Sequence, residues 1–282
     1  MPELPEVETI ARCLNACLRG RVITSVECRY SGCIRGSVQA YLSGLESRSI
    51  QAVRRRAKLL IMDLDLGRHL VFHLKMTGKL LMTSCAKGKV DKHTHLIFNF
   101  ADQESLVYQD QRKFGYSALL SDLELRNWTF YASLGPEPLS LGTEEFKKIF
   151  RSTRARVKAV LLDQSRIAGI GNIYADEALH LAEIHPATPC SSLSDSGLER
   201  LCTCLQVVLN RALDLGGTSF RDYVDGLGRP GRYQDEFNVY GRAGLPCRQC
   251  GTELQKVRVA GRTSVFCPAC QRSLGPRCEH AD

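Results

Sequence analysis

The sequence lacks any apolar run approaching the roughly 18 residues that a membrane-spanning helix needs, so no transmembrane segment is expected. Its first ten residues, MPELPEVETI, have neither a basic stretch nor an apolar core, which argues against a secretory signal peptide. Internal repeats are absent as well. Cysteine is plentiful, but an odd count of 13 in 282 residues does not fit a disulfide-stapled scaffold and favours a reducing cytoplasm.

Positive charge is concentrated near the C-terminus. The net charge is +8, and residues 241–282 hold seven Lys and Arg against three Asp and Glu, which places four of the eight excess charges there. A localised basic surface points to a polyanionic partner, although any single one of these residues could be an ordinary solvated charge.

Apolar spacing divides the chain into a β-rich part and a helical part. A helix is predicted over 5–18, where Val7, Ile10 and Leu14 recur at helical spacing. Short strands follow from 21 to about 131, including 21–29, 49–65, 69–76, 95–100 and 105–108, and they suggest a sandwich or barrel-like lobe. Helices are predicted over 157–164, 173–184 and from 194 to 215, whereas 217–240 reads as a long loop.

The last cysteines have metal-ligand spacing. Cys247 and Cys250 form one CxxC pair, Cys267 and Cys270 form another, and 16 residues separate the pairs. This pattern is typical of a tetrahedral zinc site built by two knuckles of a β-hairpin; two buried thiol pairs or two disulfides are the alternative. Four protein ligands leave no open position, so one structural Zn²⁺ is predicted.

Two other features have a chemical and an ordinary interpretation. Removal of Met1 would expose the secondary amine of Pro2, a nucleophile beside the carboxylate of Glu3, yet the same residues commonly begin a helix. Arg262, five residues before Cys267, could reach a phosphate from the hairpin or simply be solvated.

The segment PELPEVE at 2–8 resembles the start of the formamidopyrimidine-DNA glycosylase family. Further segments resemble that family in the same order along the chain: RAK at 56–58, HLKMTG at 73–78, KHTH at 92–95, DQRKFG at 110–115, LGPEPL at 134–139, IAGIGNIYADE at 167–177, GGT at 216–218, YGR at 240–242 and the ribbon. The resemblance implies an α+β multidomain protein with an N-terminal β-sandwich, a helix–two-turns–helix module and a C-terminal four-cysteine zinc ribbon.

The implied divisions are a catalytic lobe at 1–133, a linker at 134–148, the helical module with a lesion-capping loop at 149–240, the ribbon at 241–272 and a disordered tail at 273–282. The implied activity is removal of oxidised purines from duplex DNA, followed by β,δ-elimination. Pro2 would attack the sugar, Glu3 would transfer protons, and Glu6 would support them.

DNA contacts are implied for a further set of residues: Lys58, His73, His93, Asn172 and Arg262. Met76, Arg112 and Phe114 resemble the family's void-filling residues, although sequence alone would place Met76 and Phe114 in a core. Two positions depart from the family pattern: Lys75 stands where glycine is usual, and Gln111 where proline or arginine is common.

The lesion-capping loop is the feature that decides substrate class. Residues 217–235 resemble the family's loop over the flipped base, with Thr218 and the amides around 220–223 facing it; its members are Thr218, Phe220, Arg221, Asp222 and Tyr223. Glycines at 226, 228 and 231 are expected to let the loop move, so deletion of 224–231 should reduce 8-oxoguanine excision and spare cleavage at abasic sites.

Two rival functions remain open at this point. An endonuclease VIII-like glycosylase for oxidised pyrimidines would share the proline and the ribbon. A non-catalytic zinc-ribbon DNA-binding protein would explain the charge and the cysteines but not Pro2 and Glu3. In each case a monomer acting on DNA in the bacterial cytoplasm is expected.

Overall fold

The computed structural model describes residues 2–84, 91–219 and 222–272. The chain forms two compact units, Met1–Ser133 with Ala212–Gln234, and Leu134–Arg211 with Asp235–Asp282. Residues 212–234, which sequence reasoning grouped with the helical module, therefore cluster with the first unit. The expected disordered tail at 273–282 lies outside the described residues. Within the described ranges, every helix is too short or too polar to span a bilayer.

The first unit contains a helix followed by two sheets. Helix α1 spans Leu4–Leu18, and the strands are β1 Ile23–Cys28, β2 Ile34–Arg35, β3 Ile50–Arg56, β4 Leu59–Leu64, β5 Arg68–His73, β6 Gly78–Ser84, β7 Thr94–Phe100, β8 Glu104–Asp110 and β9 Tyr116–Ser121. Short helices α2 Val38–Ser43, α3 Asp122–Asn127 and α4 Thr129–Ala132 lie between or after the strands. One sheet has the order β1-β7-β8-β6 and the other β2-β9-β5-β4-β3. Among the strands that the structure describes in these sheets, β2 and β9 pair in parallel and the other pairs are antiparallel.

The two sheets face each other across an aromatic core. The ring of Phe72 on β5 lies 5.9 Å from Phe98 on β7 and 5.5 Å from Tyr108 on β8, centroid to centroid. Helix α1 packs on β3 and β4 through its apolar face, which includes Val7, Ile10 and Leu14. Burial of these large side chains on both faces makes this a sandwich, as the sequence resemblance predicted.

The predicted strand over 49–65 is two strands. Ala57 adopts a left-handed φ of 53°, which turns the chain between β3 and β4 and brings Lys58 to the start of β4. Alanine seldom takes this conformation, so the sequence does not indicate a turn at this position.

The second unit combines helices with a two-stranded ribbon. Its helices are α5 Thr143–Arg151, α6 Val157–Leu162, α7 Asn172–Leu181 and α8 Asp195–Asp214, the last of which ends in the first unit. The ribbon strands β10 Gln255–Val259 and β11 Arg262–Phe266 pair in antiparallel fashion. The Oγ of Ser194 accepts the N–H of Gly197 at 3.1 Å, so the start of α8 agrees with the sequence prediction.

Candidate active site

The N-terminus places the predicted nucleophile against two buried carboxylates. Pro2 is buried, and Glu3 occupies the N-cap of α1 with 3% of its surface exposed. Glu6 accepts the backbone N–H of Glu3 through Oε2 at 2.8 Å, which fixes the chain just after Pro2. An amine at Pro2 therefore stands next to a group that can exchange protons, in a region from which most water is excluded.

Glu6 also holds residues 217–235, the predicted lesion-capping loop, which we call the capping segment. Its Oε1 accepts the backbone N–H of Thr218 at 2.8 Å, and its main-chain carbonyl accepts the hydroxyl of Tyr223 at 3.3 Å. Gly217 has a φ of +82°, and a Cβ there would lie 3.0 Å from Glu6 Oε1, so only glycine fits this approach. The segment begins directly against the helix that carries Pro2.

The described part of the capping segment beyond residue 221 packs closely at two glycines. Gly226 accepts the N–H of Met82 at 2.8 Å, and a Cβ on Gly226 would lie 2.7 Å from Leu14 Cδ2. A Cβ on Gly231 would lie 2.2 Å from the carbonyl oxygen of Gly217. These two glycines therefore permit close backbone packing, and the mobility expected of the glycines at 226, 228 and 231 stays a prediction. Asp222 is exposed, and Phe220 and Arg221 lie outside the described residues.

A cationic cluster surrounds His73 at the end of β5. Lys75 donates its backbone N–H to His73 Nδ1 at 3.1 Å, so the proton of the neutral ring resides on Nε2. Burial is the main reason that the pKa of His73 falls to about 3, and the positive charges of three neighbours lower it further. These neighbours are Lys75, Lys58 and Arg35. A neutral N–H donor among three cations is suited to hold a phosphate.

Lys75 stands at the position where the family resemblance leads us to expect glycine. Its φ of 51° is left-handed, which accounts for a glycine preference. Its Nζ lies 5.8 Å from the ring centroid of Tyr116, and Arg35 lies over the same ring at 3.5 Å. The lysine therefore adds a charge to the cluster. Nothing in the structure explains Gln111.

The three proposed void-filling side chains meet at the surface. Met76 is 44% exposed and Phe114 54% exposed, so neither is a core residue. Arg112 donates to Met76 Sδ at 2.9 Å and lies 4.7 Å over the Phe114 ring. An apolar tip, a planar cation and an aromatic ring together can fill the space that a flipped base leaves.

Asp110 supports this surface group, and sequence reasoning gave it no role. The residue is fully buried and accepts the N–H groups of Arg112 at 3.2 Å and Gly115 at 2.7 Å, as well as the Thr77 hydroxyl. It thereby joins the turns before β6 and after β8. Its own N–H is donated to the carbonyl of His93 at 3.0 Å, and His93 is half-buried.

Asn172 and Arg262 belong to the second unit. Asn172 is the first residue of α7, with Gly171 as the N-cap, and its Nδ2 donates to the carbonyl of Thr263 at 3.0 Å. The Asn172 side chain is thus tied to the ribbon and does not cap its own helix. Arg262 begins β11, is exposed and makes no ion pair within the described part of the chain. Its guanidinium is available to an anion.

The four ribbon cysteines fit a zinc ion. Their Sγ atoms lie within 4.8 Å of one another, with Cys250 3.4 Å from Cys267 and 3.5 Å from Cys270. Tetrahedral Zn–S bonds of about 2.3 Å place thiolates roughly 3.8 Å apart, so the donor set and its spacing match. Cys247 completes the site and, with Cys267, is buried in the ribbon core. The chain thus contains a structural zinc site.

Comparison with known proteins agrees with this geometry. Residues 1–117 match the family described as formamidopyrimidine-DNA glycosylase N-terminal domain, residues 134–224 match its H2TH domain, and 244–272 match the zinc finger found in FPG and IleRS. The chain is 43% identical over 277 residues to the formamidopyrimidine-DNA glycosylase of Desulforamulus reducens, with 97% of this chain and 100% of that protein covered.

Solved structures extend the likeness to the fold. The Lactococcus lactis protein, as the G226P mutant with Fapy-dG DNA, superposes with a TM-score of 0.90 at 37% identity, covering 96% of this chain and 100% of that one. The same TM-score, identity and coverages describe its complex with abasic-site DNA. A further L. lactis complex contains an oxidised pyrimidine and has a TM-score of 0.89 at 36% identity, with the same coverage of both chains. This chain belongs to the formamidopyrimidine-DNA glycosylase family.

Proposed function

We propose that the chain removes oxidised purines from duplex DNA and then cleaves the strand at the resulting abasic site. The observation that carries this function is the buried arrangement of Pro2, Glu3 and Glu6 at the start of α1, with the capping segment held by the same Glu6 carboxylate. The names of the relatives, and the damaged DNA bound in the L. lactis structures, support it.

The chemistry begins at the Pro2 nitrogen. This nitrogen attacks C1′ of the flipped nucleotide while the N-glycosidic bond breaks, and the departing base keeps the bonding electrons and gains a proton. The attacking amine loses its proton, Glu3 protonates O4′, and the C1′–O4′ bond opens to give an iminium ion. The iminium withdraws electrons, so C2′ loses a proton and the 3′-phosphate leaves; a second elimination expels the 5′-phosphate.

The remaining residues bind DNA or support the site. Lys58 and His73 would contact phosphate near the lesion, and the neutral His73 ring would donate through Nε2. Asn172, Arg262 and His93 would contact the backbone, while Met76, Arg112 and Phe114 would fill the vacated stack. Glu6 would hold the backbones of Glu3 and Thr218 in place by accepting their N–H groups. A bound zinc would supply no chemistry; Cys247, Cys250, Cys267 and Cys270 would hold it, and this would fix the hairpin that carries Arg262.

Borohydride trapping distinguishes an enzyme from a DNA-binding protein. Reduction of the iminium should give a covalent adduct at residue 2 when the chain acts on a lesion duplex, and intact mass should show that Met1 is removed. An extra residue ahead of Pro2 blocks the amine, so such a variant should bind DNA but give no adduct. Binding without any adduct would support the non-catalytic alternative, whereas fully active protein that retains Met1 would rule out Pro2 as the nucleophile.

Substrate class requires a comparison of excision rates. The L. lactis relative has been crystallised with both Fapy-dG DNA and oxidised-pyrimidine DNA, so binding alone does not separate the two classes. Single-turnover excision should be faster for 8-oxoguanine and formamidopyrimidine than for an oxidised pyrimidine in the same duplex. The reverse order would favour the endonuclease VIII-like alternative. We also expect a monomer that acts in the bacterial cytoplasm, where the genome of its bacterial relatives lies.

A further inference from the structure

One face of helix α7 contacts the ribbon along its whole length. Asn172 donates to the carbonyl of Thr263, and Asp176 Oδ2 accepts the N–H of Val265 at 3.2 Å. Four residues further on, His180 reaches the ribbon as well. Positions 172, 176 and 180 share one helical face, so α7 and the ribbon pack within the same unit.

His180 contacts a zinc ligand. Its Nε2 lies 3.6 Å from the Sγ of Cys247, and the two residues are only 4% and 3% exposed, so little water competes for either atom. Cysteine binds zinc as a thiolate, which carries no proton and can only accept a hydrogen bond. With the metal bound, the contact is therefore an N–H···S bond in which the imidazole is the donor.

Four thiolates around one Zn²⁺ carry a net charge of −2, and N–H donors disperse it. Cys267 Sγ accepts such a bond from the N–H of Cys270 at 3.4 Å, within its own knuckle. For Cys247 the donor comes from α7. His180 lies outside the 244–272 range that matches the zinc-finger family, and the four-cysteine pattern assigns it nothing.

We propose that His180 is an outer-shell positioning residue of the zinc site: its Nε2–H holds the Cys247 thiolate toward the metal and slows zinc loss. Outer-shell hydrogen bonds orient ligands, and removal of one typically costs 10- to 100-fold in metal affinity. The role is independent of the reaction at Pro2, so its failure would leave the proposed glycosylase function untouched.

Zinc transfer from the full-length protein to an excess of a chromophoric chelator measures this role. His180→Phe keeps a ring in the buried position but removes the donor, and it should release zinc about tenfold or more faster than the unaltered protein. His180→Gln restores an N–H donor and should be slower than His180→Phe. His185→Phe is the matched control, because His185 packs edge-to-face on Phe266 at 4.5 Å and, within the described residues, contacts no cysteine sulfur.

The proposal fails if His180→Phe releases zinc at the unaltered rate, if His180→Gln is as fast as His180→Phe, or if His185→Phe accelerates release equally. A measurement on the unaltered protein does not depend on the folding of any variant. In ¹⁵N spectra of the zinc-loaded chain, His180 should be protonated on Nε2; an unprotonated Nε2 would overturn the assignment.

Discussion

The carboxylate of Glu6 accepts the backbone N–H of Thr218 at 2.8 Å, across 212 residues of sequence. The same carboxylate accepts the N–H of Glu3. One buried side chain therefore links the start of the capping segment to the residue next to Pro2, the proposed nucleophile. The position of the segment and the position of Pro2 are set together.

Glu6→Gln tests this link. An amide offers one acceptor oxygen where two N–H donors converge, so one of these buried bonds is replaced by a donor–donor contact. A lost buried partner costs about 1–3 kcal/mol, and we expect a comparable fall in the free energy of unfolding together with slower base excision. Denaturant unfolding and single-turnover kinetics measure both. Glu46→Gln, at an exposed loop position of the same unit, is the control and should change neither.

His73 should remain neutral in mildly acidic solution. A solvent-exposed histidine titrates near pH 6.5, whereas the pKa of His73 is lowered to about 3 by burial and nearby cations. ¹H–¹³C NMR of the ring should show no protonation at pH 5. Because the unfolded chain binds more protons than the folded one between pH 6.5 and about 3, the contribution of His73 to stability is present above 6.5 and lost as pH falls. A ring that titrates near 6.5 would contradict the buried donor role.

Zinc removal should unfold the ribbon and leave the sandwich intact. The four thiolates are gathered only in the folded ribbon, so metal binding contributes folding free energy there. Elemental analysis should give about one zinc per chain. Chelation should abolish DNA binding, while the aromatic core around Phe72 keeps its near-ultraviolet signal. Retained DNA binding after complete zinc loss would separate the ribbon from the DNA interface.

Arg262→Ala should weaken binding to damaged and undamaged duplex alike. Each phosphate contact contributes about one unit to the dependence of log K on log salt, so the slope should fall by about one. Arg12→Ala removes an arginine on α1 that is 68% exposed and paired with Glu8, and it should leave the slope unchanged. An unaltered slope in Arg262→Ala would remove this residue from the interface.

The sequence predicts what short-range spacing determines. The ribbon cysteines, α1 and α8 follow from patterns within 24 residues or fewer, and the structure has each of them. The turn at Ala57 was not predicted, because a left-handed turn usually contains glycine and this one does not. The cluster of Met76, Arg112 and Phe114 depends on the pairing of β6 with β8, which local periodicity does not encode. From the sequence, only the family resemblance predicted that those three residues act as one group.

Buried polar contacts were the least predictable part. Lys158 is fully buried and donates to Asp176 at 2.6 Å and Ser264 at 2.5 Å, although a lysine on a short helix reads as a surface residue. Glu177 accepts the backbone N–H of Val239 at 2.9 Å and of Tyr240 at 2.8 Å. These partners are 62 or more residues away, and no spacing rule connects them.

The capping segment is held closed by a serine. Ser219 Oγ donates to the carbonyl of Tyr223 at 2.7 Å and accepts the N–H of Gly231 at 2.8 Å, so one hydroxyl joins the two sides of the segment. Residues 224–231 pack on α1 and β6, so their deletion would damage the fold as well as the capping segment. The deletion is therefore not a specific test of lesion recognition. A substitution at Ser219 tests lesion recognition without shortening the chain.

We expect Ser219→Ala to reduce 8-oxoguanine excision about tenfold or more, because two hydrogen bonds worth roughly 0.5–1.5 kcal/mol each no longer order the segment over the base. Cleavage at pre-formed abasic sites should be nearly unchanged, since no base has to be covered there. Ser43→Ala, which removes one hydroxyl bond to Gln39 on α2, is the matched control. Equal loss of both activities would mean that the segment supports the whole site, through Glu6, and does not act specifically on the base. Loss of neither would mean that the Ser219 hydroxyl does not order the segment over the base.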